Sequence, residues 1–265
     1  MKVTLIGAGN VATQLGKALK KAGIIINQVY SHTEISAKML GELLETEWLT
    51  DIKKLRDDAD IYILSVKDSV LCDLISEVCK GREDKLFLHT AGSMPMSCFE
   101  GKAQHYGVFY PMQTFSKAKD VNFKTIPVFI EGNSAATEDM IRNFANRLSQ
   151  RVITLSSADR KYLHLAAVWV CNFTNYCYTV ASDILGEHGI PFDVMLPLIN
   201  ETTEKLQTLS PKAAQTGPAV RGDKNVMSQQ LELMRHNADL QKLYQMLSKG
   251  INPMVDNLIL EKKED

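Results

Sequence analysis

The chain of 265 residues has room for one large domain or two ordinary ones, and either can bury a core without disulfide or metal staples. Thirty basic residues stand against thirty-one acidic ones, so the formal charge of -1 leaves no electrostatic footprint for nucleic acid or an anionic membrane surface. No apolar run reaches the roughly 18 residues of a membrane span, and the opening MKVTLIG has no signal-peptide pattern, which points to a cytoplasmic protein without a membrane partner. Cys72, Cys79, Cys98, Cys171 and Cys177 are odd in number and form no CxxC pair. They are expected as reduced, buried thiols, Cys98 being the candidate exception, and no metal site is expected.

In chain order, β-branched runs near 3–6, 29–31, 61–66, 86–89, 108–110, 128–131 and 152–155 alternate with helical patterns near 11–22, 34–44, 70–79 and 135–148. Such alternation predicts an α/β domain over 1–156, a doubly wound and mainly parallel sheet with helices on both faces. Strand signals then stop. Helices are predicted near 158–187, 192–209, 224–236 and 238–260, broken by GEHGIP and SPKAAQTGPAVRGD, which makes 157–265 an all-α second domain with frayed last residues.

The first strand runs into GAGNVA. A pyrophosphate needs close backbone approach and N–H groups aimed at it: Gly7 permits the tight turn, Gly9 leaves the phosphate unobstructed, and the helix opening at Asn10 and Val11 adds its positive end. Gly7, Ala8, Gly9, Asn10 and Val11 are therefore candidate dinucleotide contacts in a Rossmann-type domain, with Ala12 where the third glycine would stand. The second strand ends in VYSHT, without the acidic residue that would bind a ribose 2′-hydroxyl and repel a 2′-phosphate. Ser31, His32 and Thr33 offer donors suited to that phosphate, so NADP is expected over NAD; the competing reading is that Ser31 and Thr33 only cap the next helix. Val66, Lys67 and Asp68 leave a strand's carboxyl end, where they contact the ribose or cap a helix, and His89, Gly92 and Ser93 of HTAGS lie where a nicotinamide and substrate would meet. Gln113 and Thr114 after GVFYP either face the same place or form a turn.

The segment KYLHLAAVWVCNFTNYCYTVAS is apolar on most sides, hence expected to be buried, yet at 100° per residue His164, Asn172 and Asn175 share one polar stripe, interrupted by Val168. Asn pairs linking helices and a satisfied core histidine explain it; so does the wall of a substrate site. In the second reading His164 is a general acid, and Asn172 and Asn175 hold a carbonyl or carboxylate. In TGPAVRGD, Arg221 is placed to bind an anionic substrate and Asp223 to orient it or cap the next helix.

GAGNVA, YSHT, SVKDSV, HTAGS, YPMQTF, HLAAVWVCNF and TGPAVRGD, in that order over nearly the whole chain, resemble the Rossmann-like family related to pyrroline-5-carboxylate reductase that carries a helical C-terminal domain of unknown function. More remotely the chain is similar to the superfamily of 6-phosphogluconate dehydrogenase and ketopantoate reductase. The resemblance implies a dinucleotide domain, a helical domain contributing to a homodimer, and an active site between them. A His and an Asn on the stripe helix match His164 and Asn172, whereas Lys161 is followed four residues on by Leu165 rather than by the Asn of the hydroxyacid dehydrogenases, and Tyr110 stands where a His is expected. The expected function is reduction of a C=O or C=N bond of a small anionic metabolite by NADPH; a non-catalytic NADP-binding sensor or assembly subunit is the alternative.

Overall fold

A computed structural model describes residues 1–255. The end of the last predicted helix and the frayed tail fall outside them. The chain divides into two compact units, Met1–Cys177 and Tyr178–Asp265.

In the first unit, β1 (Lys2–Ile6), α1 (Asn10–Lys21), β2 (Ile25–Tyr30), α2 (Glu34–Leu44) and β3 (Glu47–Leu49) are followed by β4 (Ile61–Leu64), α3 (Asp68–Cys79) and β5 (Leu86–His89). Then come β6 (His105–Pro111), β7 (Val128–Gly132), α4 (Ala135–Asn146), β8 (Val152–Thr154) and α5 (Ser157–Ala167). The strands form one sheet in the order β3-β2-β1-β4-β5-β6-β7-β8. All pairs are parallel except β6 with β7. The two-residue period of a strand sorts its side chains into two cores. Val3, Leu5, Ile61, Ile63, Leu86 and Leu88 join one layer with Leu15 of α1, while Ile6, Tyr62, Leu64 and Phe87 join the other with Leu71 and Ile75 of α3. Continuous apolar runs buried on both faces are what helices on both sides of a parallel sheet require.

Seven of the eight strands lie where the sequence places them. The eighth, β3, is a three-residue edge strand, too short to show a period, that Gln28, Val29 and Tyr30 pair with. Its Trp48 packs on Gly41 of α2, where a Cβ would meet the indole at 2.6 Å.

Beyond α5 the helix does not continue regularly. Val168–Phe173 form a π turn before α6 (Thr174–Glu187). The second unit then holds α7 (Leu196–Glu204), α8 (Pro211–Ala214), α9 (Pro218–Arg221), α10 (Lys224–Leu233) and α11 (Ala238–Ile251). Ala219, Met227 and Val255, with Tyr244 against them, make its small buried cluster. The boundary between units comes later than residue 156 because α5 is tied to the sheet through Arg160 and His164.

Two expectations are corrected here. The stripe helix is not buried on most sides: Tyr162, Leu165, Trp169, Val170, Phe173 and Tyr176 are exposed in the single chain, Val170 by 75%. The cysteines are free, but Cys72 and Cys177 are exposed, while burial pushes the thiols of Cys79 up to about 12 and Cys98 up to about 11. Among the described residues there is no group of side chains that could hold a metal ion and no helix long and apolar enough to cross a membrane.

Candidate active site

Three strands deliver the site at their carboxyl ends. β1 ends in Gly7, whose φ of +111° suits glycine and whose Cβ would strike the carbonyl of Ser65 at 2.4 Å, so only glycine lets this turn cross the end of β4. At Gly9 an added Cβ would meet nothing within 4 Å, which leaves the space before α1 open. Gly9 caps α1 without a side-chain hydrogen bond, and the first turn carries no acid. The N–H groups of that turn therefore face open space with the helix dipole behind them, an arrangement that fits a pyrophosphate.

A cavity of about 310 Å³ opens at this point. Gly9, Asn10 and Val11 line it from α1, Ser65, Val66 and Asp68 from the end of β4, Thr90, Ala91 and Gly92 from the end of β5, and Tyr110, Pro111, Gln113 and Phe115 from β6 and its loop. His164 of α5 closes the wall.

His164 Nδ1 lies 3.1 Å from the Tyr110 hydroxyl, the rings edge to face at 6.2 Å between centroids. The imidazole rests on the backbone of Gly92, where a Cβ would meet Nδ1 at 2.6 Å and Cγ at 2.7 Å. Gly92 is thus the residue that makes room for His164. Burial raises the pKa of the Tyr110 phenol, a shift that Arg160 opposes, so the phenol stays protonated at neutral pH beside the imidazole.

Beneath the cavity runs a buried ion pair. Arg160, 1% exposed, donates from Nη1 to Glu131 Oε2 at 2.9 Å, and its Nη2 donates to the Met94 carbonyl at 2.5 Å and to Ser157 Oγ at 3.1 Å. Glu131 also accepts from the Ser157 amide at 2.9 Å, so one carboxylate on β7 anchors the start of α5, with His164 four residues beyond Arg160 and seven beyond Ser157.

The other sequence candidates are distributed differently. Gly7 and Ala8 form the turn behind the cavity, and Ser31 is buried at the end of β2 with its amide on the Leu49 carbonyl. His32 and Thr33 are exposed; Thr33 holds the N-cap position of α2 but makes no capping side-chain bond, contrary to the cap reading. Lys67 takes the N-cap position of α3, and Asp68 accepts from the Ser93 hydroxyl, which draws HTAGS toward α3. Gln113 turns its side-chain oxygen back onto the Thr114 amide at 2.8 Å.

His89 is a correction. It is fully buried, stacks on Phe99 at 5.9 Å, and accepts the Ala91 amide at Nδ1. Burial, with Arg160 adding to it, drives its pKa down to about 3, so it is a neutral core histidine that shapes the loop and does not line the cavity. Asn172 and Asn175 do not line this cavity. Both are exposed, Asn172 within the π turn of Val168–Phe173 and Asn175 just after it, where a uniform 100° step no longer applies. In the second unit Asp223 caps α10 through the Val226 amide at 3.3 Å, and Arg221 is exposed at the end of α9.

Comparison with known proteins gives the following. Residues 1–105 match the model of a Rossmann-like domain, and residues 126–251 match the domain of unknown function DUF2520. A solved structure from Bacteroides fragilis, provisionally named an NADP oxidoreductase, is 49% identical with a TM-score of 0.92, over 95% of this chain and 98% of that one. An imine reductase of Myxococcus stipitatus in complex with NADP+ is 16% identical with a TM-score of 0.67, covering 97% and 93%. The 1-pyrroline-5-carboxylate reductase of Streptococcus pyogenes is 16% identical with a TM-score of 0.64, covering 98% of each chain. The last two share the fold. No protein of curated function matches.

Proposed function

Because the chain belongs to the family that joins a Rossmann-like domain to the domain of unknown function DUF2520, we propose that it is an NADP-dependent oxidoreductase that reduces a C=O or C=N bond of a small metabolite. The observation that carries this reading is the placement of His164 on the wall of the cavity that begins at the uncapped turn of α1. The name of the relative at 49% identity is consistent with it.

The uncapped N–H groups at Asn10 and Val11, with Gly9 clear of side chain, would hold the pyrophosphate, and the exposed His32 and Thr33 would meet a 2′-phosphate. When bound, NADPH supplies the hydride. The chain would supply the proton from the imidazole of His164, which solvent recharges after each turnover, and the Tyr110 hydroxyl, 3.1 Å from Nδ1, would hold the ring in place. Phe115 and Pro111 give the wall an apolar part that limits water.

We place a second copy of the chain on the exposed face of Tyr162, Leu165, Trp169, Val170, Phe173 and Tyr176, as a homodimer through the helical region. A contiguous row of large apolar side chains along one helix is what an obligate interface presents.

The test is NADPH oxidation with a panel of 2-oxo acids and cyclic imines. Turnover above background is expected, with His164→Ala lowering kcat by about 100-fold while NADPH affinity holds. Turnover with no member of the panel, or full activity in His164→Ala, overturns the assignment. Tighter binding of NADH than NADPH overturns the cofactor choice alone.

A further inference from the structure

We infer that the first unit carries a second ligand site, for an organic anion in which a phosphate or carboxylate is joined to a flat apolar body. A cavity of about 580 Å³, within the usual size range of small-molecule sites, lies between the C-terminal half of α1, the end of α4 and the loop that precedes β7. Its lining residues are distinct from those of the cavity at Gly9. Along α1 the two linings do not overlap, Gly9, Asn10 and Val11 serving one and Gln14 through Ala22 the other.

The side chains fall into two kinds. Lys17, Lys21, Lys124 and Arg147 are cationic and Asp120 is the single anion, in a chain whose overall charge is -1. Ala18, Val121, Phe123 and Leu148 are apolar, and Phe123 and Leu148 are buried, giving a fixed floor. Cations at the C-terminal ends of α1 and α4 are expected from the helix dipoles alone. What goes beyond that is their unspent bonding. Among the described residues Asp120 takes Lys17 alone, at 2.6 Å. Lys124 donates to the Arg147 carbonyl at 2.8 Å, Arg147 gives one long bond of 3.4 Å to the Ala22 carbonyl, and Lys21 makes no ion pair among the described residues.

The walls are also held in place. Gln14, 2% exposed, donates its amide to the carbonyls of Ser116 at 2.7 Å and Lys119 at 2.9 Å, pinning the loop to α1. A rigid apolar floor beneath a fork of guanidinium and ammonium donors accepts a ring or short chain below and its anionic group above.

Calorimetric titration of the full chain tests this with phenyl phosphate, inorganic phosphate and benzyl alcohol. Phenyl phosphate is expected to saturate one site at least about tenfold more tightly than either probe lacking one half of the pattern. Saturating NADP+ should not displace it, Lys21→Glu should weaken it about tenfold, and added salt should weaken it further. Arg147→Gln, which keeps a donor without the charge, should weaken it as well, so the result does not hang on one variant. Equal binding of all three probes, displacement by NADP+, or affinity unchanged in both variants overturns the site. Because neither residue touches the cavity at His164, this outcome is independent of whether NADPH is oxidised.

Discussion

The sheet region and the helical region of this chain solve the burial problem in opposite ways. In the sheet, Ile61 to Leu64 are buried from both sides and the two core layers close on themselves. Along the helices, by contrast, Trp169 is 59% exposed, and Leu198, Leu233 and Met246 are also open, while the helical unit's own buried cluster is three residues. A sheet covered by helices is complete within one chain; helices apolar on several sides need further surface to cover them. The site draws on both, since the turns come from the sheet and the imidazole from the first helix after it.

That contrast can be broken at its closed end first. Glu131→Gln leaves Arg160 charged and unpaired in the interior and should destabilise the chain by about 3–5 kcal/mol in urea denaturation, whereas Glu131→Leu with Arg160→Met should recover most of the loss. At the open end, Trp169→Glu with Val170→Glu should dissociate the proposed dimer, raising its dissociation constant by the equivalent of about 2–4 kcal/mol in sedimentation equilibrium, with the fold of the sheet retained. A wild-type chain that sediments as a monomer would remove the dimer.

Smaller effects sharpen the comparison. His89 has a folded pKa near 3, below the ordinary 6.5, so its contribution to stability is full above pH 6.5 and is lost as pH falls toward 3. Between pH 7 and pH 5 this one group should remove about 2 kcal/mol, and His89→Leu should flatten that part of the curve. Gly92→Ala pushes a methyl against the imidazole of His164 and should lower kcat about tenfold, with NADPH affinity and melting temperature nearly unchanged. A larger change in cofactor affinity than in kcat would mean that Gly92 serves the cofactor and not His164.

Much of the sheet was legible because its strands are β-branched runs buried on both faces and punctuated by glycine. Edge strand β3 was not, being three residues held by pairing to β2. At the site, GAGNVA announced its turn, and HTAGS its loop, through glycines whose reason is local. Tyr110 was a puzzle until the fold brought it to His164 across 54 residues of sequence. Arg160 gave no signal, since a charged residue near a helix start reads as solvated unless its partner is known. The π turn between His164 and Asn175 was not legible, because it has no sequence period to announce it.

The sequence by itself determined the alternation that makes a parallel sheet, the tight glycine turn at Gly7 and Gly9, and the helical character of the described residues beyond β8, because each is set by backbone preferences over a few neighbouring residues. Only the tertiary structure decided that His89 is core while His164 meets the cavity, and that Glu131 holds Arg160. Those outcomes depend on burial and on partners distant along the chain, which no local pattern encodes.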